Sequence, residues 1–409
     1  MPSVVKSLLV IIVICVTQLS VCEIFHLSSS IAQNSLPPHP GETTPTDFRI
    51  TSVRESKTEV PWLSQVMVSS GQGQDSFPQS MLENIGKMEP VFAVATDSQR
   101  SHVDQWLERR EDLRRIWRDF LGPMPDTGTP VKPEIVRRDV FPEVIRELVQ
   151  YDGEPGSRVE GYLLRPVTEE RHRRFPAIVA LHQTTDSSID EVAGVSGPDA
   201  MQIGWKLAHR GFIVFCPRCF LWENGNDLNA AVARHRERHP KTTGMAKMLY
   251  DATRAVDLLT ERSDVDSTRI GAVGHSLGAK EVLYLSAFDD RIQVSVASEG
   301  GIGLRSTNWD APWYLGNAIR DADFARNHHE LIAMTAPRPL LIIGGESGPG
   351  AADGERSRPL LQAALPAWSA YGEPIRLGLL NHGQGHTISE ETFHRMAEWL
   401  EIYLTKKAD

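Results

Sequence analysis

Apolar and polar residues recur along this chain with two different periods. Between Ser101 and Leu121 the apolar residues Val103, Trp106, Leu107, Leu113, Ile116, Trp117, Phe120 and Leu121 return at helical spacing among arginines and glutamates, and "GPMP" ends the run. The pattern predicts an amphipathic helix whose aromatic stripe is a packing face. Beyond it the signal changes. "VIRELVQY" and "RVEGYLLRP" flank "DGEPGS", which predicts a hairpin. "FPAIVALH", from Phe175 to His182, is apolar almost throughout, as a strand buried on both faces must be. A helix around Ala200 to His209, the strand "FIVFC", a long helix from Gly244 to Arg262 and a strand running into Ser276 with a helix after it come next. There follow "IQVSVAS", an irregular tryptophan-rich stretch from Gly300 to Ala325, "PLLII", a helix near Pro359 to Tyr371, "IRLGLLN", and a last helix from Ser389 to Leu404. Apolar strands alternating with helices predict an α/β fold, a mostly parallel central sheet with helices on both faces.

The first hundred residues follow neither period. Met1 to Lys6 carries one basic side chain, Leu8 to Val16 is an unbroken apolar run, and a polar stretch follows, the pattern of a signal peptide over residues 1–22. Cleavage after Cys22 is one option and cleavage after Ala32 a second. Residues 23–98, rich in Ser, Pro, Thr and Gln, predict an arm or linker, which leaves 99–409 as the main folded domain. The apolar run is too short to span a bilayer comfortably, and no later segment is longer, so the expectation is an exported protein, periplasmic or extracellular, with no membrane span.

Charge narrows the partners. A formal net charge of −10 with no long basic block argues against nucleic acid or an anionic membrane, both of which need a clustered positive face. Once the signal is removed, Cys216 and Cys219 in "FCPRCF" remain. Without a second C-x-x-C they do not make a zinc site, and "CFLWENG" does not read as the helix start a redox pair needs. Two buried thiols or a local disulfide are the expected states.

The chemistry centres on "IGAVGHSLGAKE", Ile270 to Glu281, where an apolar strand gives way to a helix through one serine. Gly274 and Gly278 stand two residues before and two after Ser276, the positions where a Cβ would strike the neighbouring strand and helix in so tight a turn. Such an elbow exposes the Ser276 hydroxyl and aims the Leu277 N–H, at the helix N-terminus, toward an oxyanion. The hydroxyl needs a base, and the base an acid, in the chain order Ser, acid, His. "NHGQGH" supplies His386 in a glycine-flanked loop before the last helix, with His382 as the structural alternative. Asp353, in the loop after "PLLIIGG", is the first candidate acid; Glu299 in "VASEGG" is the alternative, and Glu346 a third. The second oxyanion donor is expected from the loop after "AIVALH", at Thr184 with Gln183 beside it. His382 with His386, His235 with His239, and His328 with His329 lack the spacing or the further ligands of a metal site, so no metal or other cofactor is expected.

"GHSLGAKE", "SEGGIGL…NWDAPWYLG", "APRPLLIIGG" and "NHGQGH" together resemble the α/β-hydrolase superfamily, nearest to its dienelactone-hydrolase-like and acetyl xylan esterase-like branch. The resemblance extends from Ser101 to the C-terminus. It implies an α/β-hydrolase fold, the triad Ser276, Asp353 and His386, and a serine carboxylesterase acting on acetyl or related esters of decorated polysaccharides. Lys280, four residues after the serine, is similar to the lysine that glucuronoyl esterases use on sugar hydroxyls, whereas Leu277 stands where they carry Arg. Lys280, Arg305, Trp309 and Trp313 are the candidate substrate-binding residues, Trp309, Trp313 and Tyr314 as plates for sugar rings and Arg305 for an acid group. Two other functions compete: a serine peptidase of the prolyl-oligopeptidase type, and a non-catalytic binding protein on the same fold.

Overall fold

Ser101 sets the start of the first helix: its hydroxyl accepts the Asp104 backbone N–H at 3.1 Å, and α1 runs His102–Leu121 with Trp106, Leu113 and Trp117 buried along one stripe. The computed structural model describes residues 49–52, 89–92, 101–126, 130–170, 172–348, 350–373 and 376–405. Ten described strands form one sheet: β1 (Arg49–Ser52), β2 (Glu134–Val140), β3 (Val144–Glu154), β4 (Ser157–Pro166), β5 (Phe175–Leu181), β6 (Ile213–Pro217), β7 (Val265–His275), β8 (Ile292–Ser298), β9 (Leu340–Gly344) and β10 (Leu377–Asn381). Their order is β1-β10-β9-β8-β7-β5-β6-β4-β3-β2. From β10 through β6 every neighbouring pair is parallel, and antiparallel pairs close both ends.

The remaining helices are α2 (Ile189–Val192), α3 (Ile203–His209), α4 (Leu228–Arg238), α5 (Gly244–Thr260), α6 (Leu277–Phe288), α7 (His329–Met334), α8 (Arg358–Ala370) and α9 (Glu390–Thr405). Period-two alternation in the strands divides the core. Ala177, Val179, Phe215, Ala272 and Ile342 face the layer containing α1, α5, α6, α7 and α8, while Ile178, Val214, Val273, Val296 and Leu341 face α3 and α9. Each central strand is therefore apolar on both sides, which is why these strands read as continuous apolar runs.

The expected helices and central strands form within a few residues of their predicted ends. The edge strand β2 was invisible to the pattern because it is exposed along nearly its whole length, with Ile135, Val136 and Val140 all facing outward. The expected arm, residues 23–98, contains two segments that join the folded domain. β1 pairs with β10, Arg49 opposite Asn381, and the Val91 N–H donates to Ala363 O at 2.9 Å while Phe92 packs 5.8 Å from Trp106. The expected signal peptide lies outside the described residues. No helix among the described residues is long and apolar enough to cross a membrane. Cys216 and Cys219 are free, buried thiols, and burial pushes both thiol pKa values up.

Trp117 ties α1 to the domain through a polar contact as well as packing: its Nε1 donates to Glu330 Oε2 on α7 at 2.8 Å. Replacing Trp117 with Phe keeps most of the ring but leaves a buried carboxylate oxygen without its donor. We expect Trp117→Phe to lower the unfolding free energy by about 1–3 kcal/mol, read as a shifted denaturant midpoint.

Candidate active site

Two turns at the carboxyl edge of the sheet carry the site, and each holds a non-glycine residue at positive φ. β7 runs directly into Ser276, which has φ 57° and ψ −115°, and α6 begins at the next residue. A Cβ on Gly274 would lie 2.3 Å from the Gly278 carbonyl carbon, and one on Gly278 would lie 2.1 Å from Leu181 O. Neither neighbour is a side-chain tip that could move aside, so both positions require glycine. Ser276 itself is half-buried, and its N–H donates to Ser298 O at 2.8 Å. The Leu277 N–H lies in the first turn of α6, where amides have no acceptor within the helix.

The second turn is at Glu299, φ 56°, directly after β8. Its backbone N–H donates to Ile343 O at 2.8 Å, and its side chain is removed from solvent, 1% exposed. One carboxylate oxygen, Oε1, accepts the Gly345 N–H and lies 3.1 Å from His382 Nε2. The other, Oε2, accepts the Ala352 N–H at 3.0 Å and faces His386 Nδ1 at 4.0 Å. Gly345 is required here too, because a Cβ would stand 1.9 Å from Gln384 O and 2.8 Å from Glu299 Oε1.

His386 lies between β10 and α9, and its ring packs on that of His275, the residue before Ser276, with centroids 4.6 Å apart. Burial lowers its pKa below the usual 6.5, while Glu299 and the Gly350 backbone act in the opposite direction. At neutral pH the imidazole is therefore mainly uncharged, the state that can accept a proton. His382 is buried beside Glu299, and its Nδ1 accepts the Gln384 N–H at 3.2 Å.

The structure brings Glu299, not Asp353, to His386. Asp353 is fully buried with both oxygens already engaged: Oδ2 accepts Gly301 N–H at 2.8 Å, and Oδ1 accepts Ile302 N–H at 2.8 Å and the Ser357 hydroxyl at 2.7 Å. Burial, reinforced by the Glu299 charge, raises its pKa. The loop after β9 thus offers amides to Glu299 and sends its own acid to the turn that follows Glu299. Glu346 is likewise engaged elsewhere, with Oε2 accepting from Asn381 Nδ2 at 2.6 Å and Glu355 N–H at 3.1 Å.

Of the four proposed substrate contacts, two point inward. Lys280 is 5% exposed, and its ammonium donates to Gly300 O and Thr307 Oγ1, both at 2.6 Å, while lying 4.0 Å from the Trp309 ring centroid. Burial depresses its pKa to about 7, with Asp353 opposing. Trp309 is 0% exposed and donates Nε1 to Gly301 O at 2.7 Å, so it presents no plate to a sugar. Tyr314 is likewise buried. The apolar bulk of these aromatics is used to cover α6 and His328, 4.2 Å from Trp309, rather than to form a rim. Arg305 is exposed and Trp313 is half-buried.

Thr184 is exposed on the loop after β5, whose Leu181–His182 backbone lies against Gly278. Glu191 holds that loop through the Gln183 amide, the Thr185 hydroxyl at 3.0 Å and the Ser187 hydroxyl at 3.2 Å. The other histidine pairs serve local structure. His235 Nε2 contacts Thr243 O at 3.1 Å, His239 Nε2 lies 2.7 Å from Glu154, and His328 bridges Tyr284 and Ile302 O. Among the described residues no three potential metal ligands gather.

A strand–serine–helix elbow within a parallel sheet, with a histidine and a buried carboxylate arriving from later loops, agrees with what sequence comparison finds. Residues 159–336 match the dienelactone hydrolase family. A curated relative, the putative hydrolase YtaP of Bacillus subtilis, is 28% identical over 252 residues, 58% of this chain and 80% of that protein. Among solved structures, the glucuronoyl esterase from Solibacter usitatus superposes with a TM-score of 0.63 at 18% identity, covering 78% of this chain and 98% of its own. A putative acetyl xylan esterase from Bacteroides fragilis gives 0.55 at 16% identity, covering 81% and 90%. At these identities the likeness establishes the α/β-hydrolase fold.

The segment that matches the family spans β7, α6 and β8, and so includes the elbow and the turn after it. We expect Gly278→Ala to disrupt the elbow, since its Cβ would displace the β5 backbone. Soluble yield or melting temperature should fall sharply, and any folded fraction should react poorly with a serine-directed fluorophosphonate.

Proposed function

We propose that the protein is an exported serine carboxylesterase acting on carbohydrate-linked esters, with Ser276 as nucleophile, His386 as general base and Glu299 as the acid that orients it. The observation that carries this reading is the buried Glu299 carboxylate, held by two backbone amides and directed at His386 Nδ1, beside the elbow that presents Ser276. A carboxylate against Nδ1 fixes the tautomer that leaves Nε2 free to accept a proton, and it stabilises the imidazolium that forms. A separation of 4.0 Å is of the kind that tightens when the histidine becomes charged.

The reaction follows from these positions. Ser276 Oγ attacks the ester carbonyl carbon as its proton passes to His386. The tetrahedral oxyanion is held by the Leu277 N–H and by a second N–H from the Gln183–Thr184 loop. Collapse breaks the bond to the leaving oxygen, which takes the proton from His386, and the alcohol departs. Water, deprotonated by His386, then attacks the acyl-enzyme; its collapse returns the proton to Ser276 Oγ and releases the carboxylic acid.

The substrate class rests on the company the fold keeps: the two solved structures above are described as acting on a glucuronoyl ester and, putatively, on acetyl xylan. Of the four candidate contacts, Arg305, which is exposed, and Trp313, half-buried against the core, keep surface open to a sugar. Export rests on the basic start and apolar run of residues 1–22.

Ser276→Ala should remain folded while losing on the order of 10⁴- to 10⁶-fold in kcat on 4-nitrophenyl acetate. A folded variant retaining most of the activity removes the assignment. An aminoacyl nitroanilide should turn over far more slowly than the ester; the opposite preference would indicate a peptidase, and no turnover of either a binding protein.

The acid is tested by a pair of variants. Glu299→Gln should lower kcat by roughly 10³- to 10⁴-fold, because it disturbs the His386 tautomer, whereas Asp353→Asn should act chiefly on stability. Equal rate losses in two folded variants would contradict the division. In the parent enzyme kcat/KM should fall as pH drops through the pKa of His386, below 6.5, because protonation removes the base.

A further inference from the structure

Lys280 occupies an unusual position for a cation. It lies one turn into α6 from Ser276, and its ammonium enters the interior to bond the Gly300 carbonyl, the peptide oxygen next after Glu299. Five other backbone groups of that turn are also taken by buried partners. Glu299 N–H bonds Ile343 O, Gly301 N–H and Ile302 N–H bond Asp353, Gly301 O accepts from Trp309, and Ile302 O pairs with His328 Nδ1. Within this set Lys280 alone comes from the helix that carries the nucleophile.

We propose that Lys280 is a positioning residue, a cross-brace between the nucleophile helix and the acid turn, and that it is not a ligand for substrate hydroxyls. This inference rests on the assignment of Ser276 and Glu299 made above. Its physical basis is that both residues sit in backbone conformations that no local preference maintains. β7 and β8 set them side by side, with His275 opposite Ser298 in the ladder. Beyond the strand ends the ladder no longer acts, and the turn must be held by side chains. Two 2.6 Å hydrogen bonds from one ammonium, together with the Trp309 face, connect α6 to Gly300 and Thr307. Without the ammonium, a buried carbonyl beside the acid loses its donor, and Glu299 can drift relative to His386. Displacements of about 1 Å in such a site cost on the order of 100-fold in rate.

The position also explains the rest of the insertion. Thr307 and Trp309 converge on the ammonium, and the Thr307 methyl fills the space beside Gly301, where a Cβ would lie 2.2 Å away. The tryptophan-rich stretch is therefore a housing for the cross-brace.

The test compares two esters that differ in whether they carry a sugar. Lys280→Met should lower kcat about 10- to 100-fold, to the same extent on 4-nitrophenyl acetate and on acetylated xylo-oligosaccharide, with KM on each changed by less than about threefold. A loss confined to the sugar ester, or carried mainly by KM, would make Lys280 a substrate ligand and overturn the proposal, as would unchanged kcat on both. Thr307→Val keeps the methyl and removes the hydroxyl acceptor, so it should give a smaller loss with the same equality. It also serves if Lys280→Met fails to fold.

A second readout does not depend on which ester is natural. Glu299, His275, His382 and Lys280 are the titratable groups around His386. Loss of the Lys280 charge should raise the His386 pKa, moving the acid limb of kcat/KM, or the histidine NMR titration, to higher pH. Fluorophosphonate labelling of Ser276 should slow in parallel. If Ser276→Ala keeps parent activity, the esterase assignment fails. If Ser276→Ala is inactive while Lys280→Met labels and titrates like the parent, the cross-brace alone fails.

Discussion

Glu299 is an ionisable side chain held out of water, and much of the surrounding chain serves to make that tolerable. A buried carboxylate without partners costs several kcal/mol, and here four groups surround it: the Gly345 and Ala352 amides, His382 and His386. Its satisfaction depends on two different loops. The loop after β9 must curl back far enough to aim both amides, which explains its glycines, and the loop after β10 must return both histidines to the same place. The site exists only where three consecutive sheet edges agree.

That agreement is built on the ladder between β7 and β8. His275 pairs with Ser298, so Ser276 and Glu299 leave the sheet as neighbours, and the Ser276 N–H still bonds Ser298 O. Both residues then take positive φ, turning their side chains away from the paths of their strands. The strain at one position is compensated by glycines that allow a helix to start. At the other, buried side chains claim the backbone groups on either side. Asp353 belongs to this second system: its two oxygens hold the amides of Gly301 and Ile302, immediately past Glu299. The two carboxylates are tied together from both sides: Asp353 accepts the amides that follow Glu299, and Ala352, the residue before Asp353, donates its N–H to Glu299.

The sequence carried the strand–helix alternation clearly because the central strands are buried on both faces and so read as unbroken apolar runs. It carried Ser276, Gly274 and Gly278 for a related reason, since that turn leaves no choice of residue. β2 was not legible, because a solvated edge strand has no apolar face to mark it. Docking of β1 was equally hidden, since it follows from a ladder with β10 rather than from any local pattern. The choice between Asp353 and Glu299 could not be read either. Both lie after a strand in a glycine-rich loop, and only the direction of each side chain separates them. The run "GGESGPGAADGE" did contain a hint: a loop with so many glycines is suited to presenting its own amides to a neighbour rather than to fixing one side chain.

The same distinction applies to the aromatic insertion. Tryptophans near a hydrolase elbow suggest a sugar platform when only composition is considered, yet Trp309 is enclosed and its ring covers an ammonium. A lysine placed beneath a catalytic turn needs a low, polarisable surface on its open side. The aromatic face provides this while excluding water, which would compete for the Gly300 carbonyl. Enclosure also depresses the Lys280 pKa to about 7. Alongside burial, the same cation lowers the pKa of His386, so the group that holds the turn also favours the uncharged imidazole.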